Sequence, residues 1–260
     1  MITGNTASGT FYVFNKKEQS TPIVFVHGVG LTYEIWQPQL DFFKDYSNLS
    51  YDILGHGKSS LTKQNISFDD FSDQLIELIN ELKIEKIHLV GFSIGSLIAR
   101  NFATRYGDRL RSLVLLGSIY KRSEQQQKIV NERFNQAKKE LKLSRQALKR
   151  WFTDKYLKNN PDTYEKISSI LSGNNMTNFL KVYELFVRHK NDEDFEKIQT
   201  KTLVMTGEHD IGSTIEMSQQ LNNVIKHSEL KIIKEGKHLC GIECADEVNL
   251  TIKNFIEKYE

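Results

Sequence analysis

The chain has 260 residues, of which 39% are hydrophobic, 10% aromatic and 26% charged. This composition suits one large globular domain, with or without an insertion, and excludes a disordered or collagen-like chain. The 35 Lys and Arg against 33 Asp and Glu leave a formal charge of only +2, so no whole-chain field points to nucleic acid or an anionic membrane. Two cysteines, Cys240 and Cys244, make no disulfide framework. With no signal-like segment and no apolar run near the ~20 residues of a membrane helix, a cytoplasmic protein is expected.

A β-branched and aromatic run at 10–14 is the first strand candidate. Ile23–Val26 is continuously apolar and ends at His27-Gly28-Val29-Gly30, which reads as a buried strand entering a glycine-rich loop. Asn48–Tyr51 is a weaker strand candidate, ended by Asp52-Ile53-Leu54-Gly55-His56-Gly57. Residues 68–82 carry Phe71, Leu75, Leu78, Ile79 and Leu82 as a helical stripe behind an acidic start at Asp69 and Asp70. A strand at 87–90, a helix over Ile94–Tyr106 and a strand at 113–116 continue the alternation. That rhythm predicts a mostly parallel sheet with helices on both faces.

Between 120 and 198 the sequence turns polar, lysine-rich and helical in period. It reads as a helical cap inserted into a core made of 1–119 and 199–260. Strand and helix resume at 202–206, 213–225 and 230–233. A terminal amphipathic helix is expected over 248–259, with Val248, Ile252, Phe255 and Ile256 on its apolar face.

Gly91-Phe92-Ser93-Ile94-Gly95 lies at the junction of a buried strand and a helix. A serine there is held in a sharp turn that leaves no room for a Cβ two residues before or after it. The bland alternative is a strand-to-helix turn with a serine N-cap. A serine hydroxyl needs a base to take its proton, and the base needs an orienting carboxylate. Asp210, in Gly207-Glu208-His209-Asp210, and His238, in Gly236-Lys237-His238, both follow strands, at the sheet edge where parallel sheets carry their sites. Glu208 is the alternative acid, and His209 a poorer alternative base because it adjoins Asp210. An oxyanion would be held by the backbone N–H groups of Val29, in the first glycine-rich loop, and Ile94, after the serine. His27 is expected to fix its own loop by hydrogen bonding. The loop it opens has no phosphate-binding glycine pattern.

These motifs together resemble the α/β-hydrolase superfamily over nearly the whole chain: His27 to Gly30, Tyr51 to Ser59, Gly91 to Gly95, Gly207 to Asp210 and Gly236 to His238. The chain order serine, aspartate, histidine is the order of that superfamily. Within it, Arg150-Trp151-Phe152-Thr153 followed by Pro161-Asp162, and His238-Leu239 followed by Glu247-Val248-Asn249, look like the cap and C-terminal region of 3-oxoadipate enol-lactonases, with carboxylesterases of similar build as neighbours. The resemblance implies that Asp52 and His56 hold a structural turn rather than act as an acid and base.

The expected activity is a cofactor-free serine hydrolase acting on a small ester or lactone, with Ser93, Asp210 and His238 catalytic and Trp151 and Arg150 as candidate substrate contacts. Acyl transfer and C–C bond hydrolysis use the same residues. From another class, a slow-turnover receptor or scaffold on the same fold is separated by its turnover number on a generic ester. No metal is expected: Cys240 and Cys244 stand without a second ligand cluster. From Lys121 to Lys158 the chain carries twelve Lys and Arg against four Asp and Glu, which reads as a solvated basic face or as a cationic lid. Trp151, Phe152, Tyr156, Phe179, Tyr183 and Phe186 are candidates to roof the site, some of them as cap core.

Overall fold

A computed structural model describes residues 1–18, 20–140 and 146–260. Eight strands form one sheet in the order β1-β2-β4-β3-β5-β6-β7-β8. Their ranges are β1 (Ile2–Asn5), β2 (Phe11–Asn15), β3 (Ile23–Val26), β4 (Asn48–Tyr51), β5 (Ile87–Phe92), β6 (Leu110–Leu116), β7 (Thr202–Gly207) and β8 (Ser228–Ile233). The first two join the sheet antiparallel, and all pairings from β4 through β8 are parallel. The sheet is thus mostly parallel, as expected. β3 and β5 are buried along their whole length because helices cover both faces. β1 carries no hydrophobic signal: Ile-Thr-Gly-Asn is an exposed edge strand, and only its pairing with β2 defines it.

Helices α1 (Gln37–Phe42), α2 (Phe68–Glu81), α3 (Ile94–Tyr106), α9 (Ile215–Val224), α10 (Cys240–Glu243) and α11 (Ala245–Ile256) flank the sheet. α2 starts where expected because the Asp70 carboxylate accepts the Ser67 N–H at 2.8 Å, satisfying a backbone donor at the helix start. The last helix begins three residues earlier than the apolar stripe suggested, since Ala245, Asp246 and Glu247 form its first turn. Among the described residues no helix is long and apolar enough to cross a membrane.

Between β6 and β7 the chain forms α4 (Glu124–Glu140), α5 (Gln146–Trp151), α6 (Asp154–Asn159), α7 (Pro161–Ser172) and α8 (Met176–Val187). α5 and α7 share the sheet's core, whereas α4 and the end of α8 pack in a smaller cluster of their own around Val130, Phe134 and Val187. Leu148, Phe152, Ile167 and Leu171 belong to one buried cluster with Phe25, Trp36 and Phe92. Two of the six candidate roof aromatics therefore do something else: Phe152 is fully buried and stacks on Tyr156, with ring centroids 5.2 Å apart. The helical segment is fastened to the sheet by apolar packing, so it is expected to melt with it. Phe152→Ala should lower the unfolding free energy by about 3–5 kcal/mol and leave a single transition in a urea titration followed by circular dichroism and tryptophan fluorescence. Two separated transitions would mean that the helical segment unfolds independently of the sheet.

Candidate active site

Ser93 occupies the turn between β5 and α3 with φ 56° and ψ −118°, a conformation that non-glycine residues avoid. The surroundings enforce it. A Cβ on Gly95 would lie 2.3 Å from the Val26 carbonyl oxygen, and one on Gly91 would lie 2.3 Å from the Gly95 oxygen. Both positions are close backbone crossings that only glycine permits. The Ser93 N–H donates to the Leu116 carbonyl at 3.0 Å, and its own carbonyl accepts from the Ser96 N–H at 3.0 Å and from the Ser96 hydroxyl at 2.5 Å. Although Ser93 stands at the N-cap position, its side chain makes no capping hydrogen bond. The hydroxyl is instead 3.2 Å from His238 Nε2.

His238 Nδ1–H donates to Asp210 Oδ2 at 2.6 Å, which fixes the tautomer that leaves Nε2 as the acceptor facing Ser93. Asp210 follows β7 and is buried. Its second oxygen, Oδ1, accepts the N–H groups of Gly212 at 2.8 Å and Ser213 at 3.0 Å. Ser213 in turn donates its hydroxyl to the Gly117 carbonyl at 2.8 Å, tying the aspartate loop to the end of β6. The Phe92 ring lies 4.9 Å from the imidazole, centroid to centroid. The alternatives stay outside this constellation: Glu208 and His209 are exposed, and the Glu208 carboxylate accepts the Glu235 N–H.

Of the two backbone donors singled out from the sequence, Ile94 directly follows the serine and Val29 lies in the glycine-rich loop. Ile94 is the first residue of α3, so its N–H has no intrahelical acceptor. In the glycine-rich loop, the Gly30 N–H is taken by His56 Nε2 at 2.8 Å and the Leu31 N–H by the Gly28 carbonyl at 3.2 Å. Val29 lines the same cavity as Ser93.

His27, Asp52 and His56 build the loop and do not face the cavity. His27 Nδ1–H donates to the Gly28 carbonyl at 2.8 Å, and its Nε2 accepts the Ile53 N–H at 3.0 Å. Asp52 accepts the N–H groups of Tyr33 and Lys58, each at 2.8 Å. Burial pushes His27 down to about 4. Burial, helped by the neighbouring His27, pushes His56 down to about 3. The 3.9 Å approach of His27 to Asp52 is therefore a contact of a neutral ring with a carboxylate, not an ion pair.

A cavity of about 530 Å³ opens over Ser93 and His238, within the range of small-molecule sites. Trp151, Phe179, Tyr183 and Phe186 form part of its wall, while Phe152 and Tyr156 do not. The Trp151 ring lies 6.4 Å from the His238 ring. The basic run divides by residue type. Its described lysines are exposed, the solvated face the sequence suggested, whereas Arg122, Arg133 and Arg150 line the cavity. Lys142 and Arg145 lie outside the described residues.

Sequence reasoning missed three contributors. Ser213 and Gly117 brace the Asp210 loop, and Glu243 accepts the Thr153 N–H at 3.0 Å and the Lys237 N–H at 3.4 Å, joining the helical segment to the histidine loop. None stands in a recognisable motif. Only the capping position of Thr153, at the start of α6, hints that its neighbourhood is fixed. Among the described residues no group of three or more His, Cys, Asp or Glu is arranged to hold a metal ion. Burial raises the thiol of Cys240, and that of Cys244 to about 11, so both are protonated at neutral pH.

The two loop histidines give the fold an acid-sensitive joint. Each binds a proton less readily folded than unfolded, so their contribution is complete above about pH 6.5 and is lost as pH falls toward 4. The melting temperature should fall steadily from pH 7 to 4.5 at fixed ionic strength, and fall less in His27→Gln, whose amide does not titrate. A melting temperature that holds level over this range in the wild type would contradict neutral, hydrogen-bonded rings.

Residues 21–243 match the alpha/beta hydrolase fold family. The chain is 29% identical over 251 residues to (E)-2-((N-methylformamido)methylene)succinate hydrolase of Acinetobacter baylyi, covering 95% of this chain and 94% of that one. It is 24% identical to 3-oxoadipate enol-lactonase 2 of the same organism, over 91% of this chain and 89% of the other. Among solved structures, the enol-lactonase from Burkholderia xenovorans LB400 superposes with a TM-score of 0.88 at 22% identity, covering 98% of this chain and 100% of that chain. With the strand order, the turn at Ser93 and a family match over most of its length, the chain belongs to the alpha/beta hydrolase fold family.

Proposed function

We propose that the protein is a cofactor-free serine hydrolase that cleaves a carboxylic ester or lactone through an acyl-enzyme. The observation that carries this reading is the unbroken hydrogen-bonded line from Ser93 Oγ through the His238 ring to Asp210. Ser93 Oγ bonds to the substrate carbonyl carbon as His238 Nε2 takes the hydroxyl proton. Asp210 orients the ring and stabilises the imidazolium. The oxyanion accepts the N–H groups of Val29 and Ile94. The bond to the leaving oxygen then breaks, that oxygen takes the proton from His238, and water repeats the sequence to free Ser93. Residues 120–198 act as the cap that closes the cavity over this chemistry. The relatives support the reading in kind, one being named a hydrolase and another an enol-lactonase.

Ser93→Ala should abolish labelling by a fluorophosphonate and lower kcat on a p-nitrophenyl ester by roughly 10⁴-fold or more. Intact-mass labelling that persists in the alanine variant would remove Ser93 from the mechanism.

The carboxylate is tested separately. Asp210→Asn should lower kcat by roughly 10²- to 10⁴-fold, because the amide favours the wrong imidazole tautomer, while Glu208→Gln should change it little. Should the two effects come out reversed, Glu208 is the orienting acid.

A further inference from the structure

The turn between α7 and α8 touches the glycine-rich loop through one side chain. Asn174 Nδ2 donates to the Gly30 carbonyl at 2.8 Å, with the Ile170 and Leu171 carbonyls 3.1 Å away. Three acceptors around one atom fix the orientation of the amide, its NH2 turned inward. Ile170 and Leu171 belong to the last turn of α7, where carbonyls run out of intrahelical donors. Ending that helix needs only those two contacts. The shortest of the three instead crosses to the loop beside Ser93, where a Cβ on Gly28 would lie 3.3 Å from that of Ser93.

Residues 28–31 form a β-turn, closed by the Leu31 N–H on the Gly28 carbonyl at 3.2 Å. Gly30 has φ 76° and Val29 a negative φ, which is the type II form. In a trans peptide the C=O and the N–H point in opposite directions. The Gly28 carbonyl is held by His27 Nδ1–H at 2.8 Å and by Leu31, so the Val29 N–H of the same peptide is turned away from both. Among the described residues that N–H has no hydrogen-bond partner, and Val29 lines the cavity with Ser93. Gly30 has little conformational preference of its own, so its partners set the turn: His56 Nε2 takes its N–H at 2.8 Å and Asn174 takes its carbonyl. Helix α8 also backs His56, with the Phe179 ring 6.4 Å from the imidazole, centroid to centroid, in an edge contact.

We infer that Asn174 is a positioning residue for the oxyanion hole: by holding the Gly30 carbonyl it keeps the 28–31 turn in the form that aims the Val29 N–H at the cavity. This rests on the hydrolase reading above and on Val29 as one of its two donors. The hole is then finished by the helical segment and not by the sheet edge alone. Shifting α7 and α8 off the loop frees the Gly30 carbonyl, and a freed glycine lets the turn relax to other forms. A donor aimed at an oxyanion acts on the transition state more than on the bound ester. The loss of Asn174 therefore falls on kcat and leaves KM nearly alone.

The test compares wild type with Asn174→Ala, Asn174→Leu and Asn174→Gln. Asn178→Ala is the control for docking of the same helix on the neighbouring loop, since the Asn178 Cβ lies 3.1 Å from where Gly55 would carry one. The measurements are kcat and KM on p-nitrophenyl acetate, the inhibition constant of a trifluoromethyl ketone that adds to Ser93 as a hemiketal oxyanion, and amide hydrogen exchange of Gly30 and Leu31 by nuclear magnetic resonance. Asn174→Ala and Asn174→Leu should lower kcat roughly ten- to 100-fold with KM within about threefold, and weaken the ketone by the same factor as kcat. Exchange of both amides should speed up about tenfold or more. Asn174→Gln, which keeps the N–H donors, should recover part of each effect, and Asn178→Ala should leave every value within about threefold of wild type. Faster exchange in a protein that turns over no ester upholds the clamp on the loop, and it is then the hydrolase reading that fails. A fall in kcat without a matching loss of ketone affinity, unchanged exchange in both variants that lack the amide, or the same changes in Asn178→Ala would each overturn the inference.

Discussion

The close crossing of β3 and the β5–α3 turn governs the rest of the site. With the Val26 and His27 carbonyls pressed against Gly95, the chain leaving β5 has no relaxed route into α3, and Ser93 takes the positive φ that results. Such a conformation costs about 1–3 kcal/mol. The hydrogen bonds from Ser93 to Leu116 and from Ser96 back to Ser93 offset it. The strain is useful because it lifts the hydroxyl clear of the helix and into reach of His238. The parallel register then brings the ends of β3, β5, β7 and β8 to one edge. The glycine-rich loop, the serine, the aspartate and the histidine all issue from that edge.

Two kinds of buried basic side chain are handled in opposite ways. His27 and His56 are kept neutral by burial, and as neutral rings each both donates and accepts. That dual capacity lets them hold the backbone of two loops without importing charge beside the glycine-rich loop. The arginines of the cavity wall cannot shed their charge in this way. The glycine-rich loop is thus held without cations, while Arg122, Arg133 and Arg150 line the cavity.

The alternation of strand and helix was legible because the central strands are buried on both faces and so are mostly apolar. Ser93 and Asp210 stood out because each follows such a strand within a few residues, and His238 because it follows the apolar end of the edge strand β8. β1 was not legible, since an exposed edge strand is defined by its partner and needs no hydrophobic residues. Which aromatics of the helical segment face the cavity was equally hidden. Trp151 and Phe152 are adjacent, yet one flanks His238 and the other is core, a distinction set by how α5 docks on α7. Ser213 and Glu243 escaped for a related reason: single hydrogen bonds between distant loops leave no periodic or spaced pattern. The split between exposed lysines and cavity-lining arginines was likewise invisible in a count of charges.

The contacts between the helical segment and the histidine loop bear on how such a protein can be rebuilt. The Leu239 N–H donates to the Trp151 carbonyl at 2.9 Å, Lys237 Nζ donates to the Lys149 carbonyl at 2.9 Å, and Glu243 bridges Thr153 and Lys237. Trp151 cannot swing away from the cavity without breaking these bonds or drawing Leu239, and with it His238, out of line with Ser93. Recombination between related enzymes must respect this coupling. A chimera that imports residues 146–153 from one parent and keeps residues 236–243 from another severs a joint, whereas exchanging both stretches together transfers a wall and its histidine as one part.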